Sequence, residues 1–74
     1  MKRELRDFTG MLKGWTEDCG AYIEARDFSG RYLGRYEKST GVTYDECGRY
    51  YCQGNDTTGL VSQQWEKEKY RLGR

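Results

Sequence analysis

Three aspartates and three cysteines are the residues of this chain most able to act on a substrate, and both sets have a conformational reading that accounts for them. Asp7, Asp27 and Asp45 each stand three residues ahead of a glycine, in Asp7-Phe8-Thr9-Gly10, Asp27-Phe28-Ser29-Gly30 and Asp45-Glu46-Cys47-Gly48. Carboxylates can do general acid and base work. An Asp at the first position and a Gly at the fourth is also the signature of a type I turn, in which the carboxylate accepts from the backbone two residues on. Turn formation explains all three. The chain has no histidine, which removes Ser-His, Cys-His and imidazole-metal arrangements. Cys52 has no base near it in sequence. The spacing of Cys19, Cys47 and Cys52 matches neither a disulfide framework nor a zinc site, so they read as free thiols of a reducing compartment. No Gly-rich run leads from a strand into a helix as a phosphate cradle requires. The expectation is a non-enzyme with no cofactor and no metal.

Binding chemistry is better represented. Arg31, Tyr32, Arg35, Tyr36, Arg49, Tyr50 and Tyr51 crowd two short stretches, and Arg and Tyr are the residue types that dominate binding hot spots. Arg31, Arg35, Tyr36, Arg49, Tyr51 and, further on, Trp65 are the partner-binding candidates. Strict strand alternation puts Tyr32 and Tyr36 on one face and Arg31 and Arg35 on the other. Aromatic platforms flanked by cations also bind single-stranded nucleic acid. Between residues 21 and 54, however, Arg26, Arg31, Arg35, Lys38 and Arg49 are balanced by Glu24, Asp27, Glu37, Asp45 and Glu46, which leaves no basic field for phosphate.

The elements that carry these residues are written as a repeat. Arg6-Asp7-Phe8-Thr9-Gly10 returns as Arg26-Asp27-Phe28-Ser29-Gly30, with Asp45-Glu46-Cys47-Gly48 as a looser third copy. Self-similarity at a spacing of 20 and then 18 residues marks units that need their neighbours to bury an apolar face. Each turn, closed by a Gly at positive φ, makes a hairpin with a bulge at the glycine. Flanking Tyr, Ile, Val and Thr suit strands. Gly20 and Gly41 end polar segments that reverse the chain between hairpins.

The sum is a mainly β, α+β fold. An antiparallel meander of three tandem hairpins spans residues 1–54, with strands near 3–8, 11–16, 21–27, 31–36, 42–45 and 49–53. Two residues past the turn glycines, Leu12, Tyr32 and Tyr50 form a bulky column expected to face the core. Gly14, Gly34 and Cys52 are expected on that same face, where small residues leave room for close approach. In the first copy Leu5, Phe8, Leu12 and Trp15 also fit a helical stripe, but Gly10 and Gly14 would each cost that helix about 1 kcal/mol.

Residues 55–74 belong to the same domain and read as a helix from Gly59 to Leu72. Asn55, Asp56, Thr57 and Thr58 offer N-caps, and Leu60, Val61, Trp65 and Leu72 give a ragged apolar stripe. Leu, Ile, Val and Phe number ten in 74 residues, while seven Tyr and two Trp supply bulk with polar tips. The formal net charge is +1. Self-association is a natural supplement to so small a core. No signal-peptide h-region, transit peptide or membrane-spanning run is present, so the expected location is cytoplasmic and no membrane partner is implied.

Gly41-Val42-Thr43-Tyr44-Asp45-Glu46-Cys47-Gly48-Arg49 resembles the YD repeat of bacterial Rhs-type proteins, whose units carry Y-D-x-x-G-R at a hairpin turn. The second copy keeps Asp27, Gly30 and Arg31, and the first keeps Asp7 and Gly10. The hairpins also look like the D-F-x-G-R-x-x-G hairpins of small uncharacterised phage and mobile-element proteins. That resemblance implies hairpin architecture; taken with the small size and the absence of catalytic chemistry, it leads to the expectation of an accessory protein that binds a host protein and inhibits or modulates it. A self-assembling structural repeat, possessing a homo-oligomeric interface, is the alternative, followed by a single-strand nucleic-acid binder.

Overall fold

Residues 1–71 are described by a computed structural model. Six antiparallel strands form one sheet in the order of the chain: β1 Lys2–Arg6, β2 Leu12–Asp18, β3 Tyr22–Asp27, β4 Tyr32–Glu37, β5 Val42–Asp45 and β6 Tyr50–Gln53. A single helix, α1, follows at Thr57–Arg71. Residues 2–6 and 12–18 are strands, so the helical alternative for the first copy does not hold. Leu72, the last residue of the expected stripe, lies outside the described residues.

Three turns with one backbone pattern generate the hairpins. In the first, Gly10 N donates to Asp7 O at 3.0 Å and Asp7 N to Met11 O at 2.9 Å. The Asp7 carboxylate accepts from Thr9 N, Thr9 Oγ1 and Met11 N at 2.9, 2.6 and 3.0 Å. Asp27 repeats this with Ser29 and Arg31, and Asp45 with the backbone of Cys47 and Arg49. Gly10, Gly30 and Gly48 sit at φ 92°, 93° and 81°, where a side chain is strained. The local chemistry read from the tetrapeptides is therefore the chemistry that makes the turns.

One feature of each hairpin departs from simple alternation. Arg6 pairs with Leu12 but Leu5 with Gly14, Arg26 with Tyr32 but Ala25 with Gly34, and Tyr44 with Tyr50 but Thr43 with Cys52. Lys13, Leu33 and Tyr51 are thus extra residues of a second bulge, which shifts the phase of the strand by one. The expected core column is corrected accordingly. Leu12, Tyr32 and Tyr50 lie on the face away from the helix, and Lys13, Leu33 and Tyr51 turn toward it. Gly14, Gly34 and Cys52 stay on the helix side, opposite Leu5, Ala25 and Thr43. Tyr32 and Arg35 consequently share a face, and Tyr36 lies on the other one.

The core is the seam between this sheet and α1, which lies across β2, β3 and β4. Ala25, Leu33, Leu60 and Val61 form its buried cluster, with Leu5 and Tyr51 packed at its margins and Trp65 buried beside it. Each large apolar side chain buried here stabilises by about 1.5–3 kcal/mol. Gly14 and Gly34 allow this approach: a Cβ on either would stand 2.8 Å from Val61 Cγ1 or 2.9 Å from Leu60 Cδ1. The helix entrance is fastened by Thr43, whose Oγ1 donates to Gly54 O at 2.6 Å and accepts from Asp56 N at 3.0 Å. Asn55 Oδ1 accepts from Thr57 N and Oγ1. No helix among the described residues is long and apolar enough to cross a membrane.

Candidate binding face of the sheet

With α1 on one side, no element among the described residues covers the opposite side of the sheet. Cross-strand registers assemble it row by row, since directly opposed residues share a face. One row runs Glu4, Trp15, Arg26, Tyr32, and the next runs Lys2, Glu17, Glu24, Arg35, Tyr44, Tyr50. Tyr22 and Glu37 stand beside them. Rings and cations interleave. Lys2 Nζ lies 4.2 Å from the Trp15 ring centre, Arg35 Cζ 5.0 Å from Tyr22 and Arg26 Cζ 5.8 Å from Tyr32, within the range of cation–π attraction.

Ion pairs hold the two arginines. Arg26 Nε meets Glu24 Oε1 at 3.0 Å and Arg35 Nε meets Glu37 Oε2 at 3.4 Å. Arg26 also donates from Nη1 to Gly30 O at 2.8 Å, and Arg6 does the same to Gly10 O at 3.0 Å. In these two hairpins the arginine before the turn braces it. Burial raises the Tyr32 hydroxyl pKa above the usual tyrosine value. Tyr22 is also raised, first by the charge of the neighbouring Cys19 sulfur and its hydrogen bond, then by Glu24. Both phenols are neutral donors near neutral pH.

Lys2, Arg6, Arg26 and Arg35 on this face are matched by Glu4, Glu17, Glu24 and Glu37. A shallow hollow of about 590 Å³ opens at its β4–β5 end, lined by Tyr32, Arg35, Glu37, Thr40, Tyr44 and Glu46 among others. The face therefore offers flat aromatic area with alternating charge.

The six candidates from the sequence do not converge on one site. Arg35 is on the open face. Arg31 pairs with Glu46 of the third turn at 2.8 Å, an interaction that raises its pKa. Arg49 is exposed at that third turn. Tyr36 and Tyr51 are half-buried on the helix side, and burial lifts the Tyr51 hydroxyl pKa. Trp65 is 5% exposed and packs in the core. Trp15, Tyr22, Arg26, Tyr32 and Tyr44 are the residues of the open face that the sequence reading passed over. Counting one extra residue after each turn would have found Tyr32 beside Arg35.

Among the described residues no group of His, Cys, Asp or Glu side chains is placed to hold a metal ion. Cys19, Cys47 and Cys52 are free. Comparison with protein-family models, with curated proteins and with solved structures finds no match for this chain.

Proposed function

We propose that this protein is a non-enzymatic protein-binding module that presents the uncovered face of its sheet to a partner polypeptide. One observation carries this reading: Trp15, Tyr22 and Tyr32 are held in place by Lys2, Arg35 and Arg26 on a face that no element among the described residues covers. Rigid aromatic area ordered before binding lowers the entropic cost of association. The matched carboxylates favour a polypeptide over a nucleic acid, because phosphate affinity requires unopposed cations.

Within that reading, the finer proposal is an accessory protein of a phage or other mobile element that binds a host protein and modulates or inhibits it in the cytoplasm. Its support is the likeness of the D-F-x-G-R-x-x-G hairpins to those of such proteins. Affinity capture from a bacterial lysate tests the face. Wild type is expected to retain a protein that the Tyr22→Ala, Arg35→Ala double variant loses, while Arg49→Ala still retains it. Identical recovery by all three would remove the face from consideration. Tight, salt-sensitive binding of a single-stranded oligonucleotide would shift the assignment to nucleic acid.

A further inference from the structure

We infer that two copies of this chain associate through β1, edge to edge and antiparallel, with Leu5 facing Leu5 at the centre. The outer edge of β1 is open, and its hydrogen-bonding phase is set by β2. Asp18 N donates to Met1 O at 3.0 Å and Asp7 N to Met11 O at 2.9 Å, so the backbone groups of odd-numbered residues face β2. By alternation those of Lys2, Glu4 and Arg6 face outward. Among two-fold antiparallel registers in this phase, those that overlap three or more residues of β1, Lys2–Arg6, are centred on Arg3, Glu4 or Leu5.

Charge separates these three. Centring on Arg3 sets Arg3 against its own copy. Centring on Glu4 sets Glu4 against Glu4 and Lys2 against Arg6. Centring on Leu5 sets Arg3 against Asp7, Leu5 against Leu5, and Glu4 against Arg6 of the second copy, so that the Glu4–Arg6 pair already made within each chain at 3.0 Å becomes part of a four-charge cluster of alternating sign. Only the last pairs opposite charges throughout, and like charges directly opposed are destabilising.

Two further observations fit this register. Arg3 has no ion-pair partner among the described residues. The turn's bonds to Asp7 all fall on Oδ1, which leaves Oδ2 outside them and able to accept from Arg3 of the second copy. Leu5 is half-buried at the margin of the core, beyond the strands that α1 covers. A second Leu5 beside it extends that core across the axis. Charged side chains on an edge strand normally discourage added strands; here they discourage unlike strands and accept this one. The interface runs along the outer edge of β1 and takes Glu4 and Arg6 from the rim of the open face; it needs none of the aromatic residues proposed to bind a partner there.

Sedimentation from micromolar to millimolar concentration is the test. The expected result is a weak, concentration-dependent dimer. Glu4→Arg alone and Arg6→Glu alone each set like charges together twice per symmetric interface, and each should weaken the dimer by about tenfold or more. An equimolar mixture of the two variants restores opposite charges and should recover association. A monomer at every concentration, a dimer indifferent to both single variants, or a mixture that stays monomeric would each overturn the inference. Hydrogen exchange on the wild type gives a readout that needs no variant: protection of the Glu4 and Arg6 amides should rise with concentration, and constant protection counts against the pairing.

Discussion

The edge of Phe28 meets the ring of Trp65, with centroids 5.9 Å apart and planes at 84°. Phe8, at the same position of the first hairpin, is fully exposed. Two copies of one turn thus differ in energetic role because the helix crosses the second and presents its indole there.

Aromatic truncation should expose that asymmetry. Trp65→Ala is expected to lose about 3–5 kcal/mol of stability and Phe28→Ala about 1–2 kcal/mol, the share of a ring pair plus partial burial. Phe8→Ala should stay within about 0.5 kcal/mol. Urea unfolding measures all three, and equal losses for Phe8 and Phe28 would contradict the packing described.

Close approach of the helix makes a second expectation. Gly34→Ala places a methyl 2.9 Å from Leu60 Cδ1 and against the backbone of β5, at a φ of 142°. Overpacking and strain together should destabilise by roughly 2–4 kcal/mol. Thermal denaturation would show it, and a neutral Gly34→Ala would mean that neither the backbone of β5 nor α1 approaches this position as described.

The turn carboxylates are chemically alike and differ in burial. Asp27 is 3% exposed, whereas Asp45 is half-buried. Asp27 makes its turn bonds to Ser29 and Arg31 from a buried position, where a hydrogen bond to a charged group is worth more than at an exposed turn, so Asp27→Ala should cost about 2–3 kcal/mol and Asp45→Ala about 1 kcal/mol. Chemical denaturation of the pair orders them; the reverse order would be inconsistent with this sheet.

Acid sensitivity follows from Asp18. Its carboxylate accepts from Gly20 N at 2.9 Å and meets Lys38 Nζ at 2.9 Å, and these, in that order, hold its pKa below the ordinary value of 3.8. Asp7 is lowered in the same direction, first by the Thr9 hydroxyl. A carboxylate depressed on folding contributes stability that is fully present above its unfolded pKa and is lost as pH falls through its folded one. Stability should therefore fall below pH 3.8. Asp18→Asn should flatten that decline while lowering stability at neutral pH, as measured by denaturation across pH. An unchanged profile would show that this contact contributes nothing.

Local chemistry decided the turns. Asp-x-x-Gly carries its own acceptor and its own left-handed residue within four positions, so three hairpins and their meander order were legible in residues 6–10, 26–30 and 45–48. The facing of the residues between each turn and Gly14, Gly34 or Cys52 was not. A bulge at Lys13, Leu33 and Tyr51 is an agreement between two strands and the helix above them, and nothing within one strand announces it. That single added residue sends Tyr32 to join Arg35 and turns Tyr36 and Tyr51 toward α1. Trp65 was legible as a large amphipathic ring on a helix, but only the crossing of α1 over the second hairpin made it core. Chain reversals are contacts of near neighbours and can be read in order along the chain; the exposure of a ring depends on what distant residues cover, and that was set when the helix docked on the sheet.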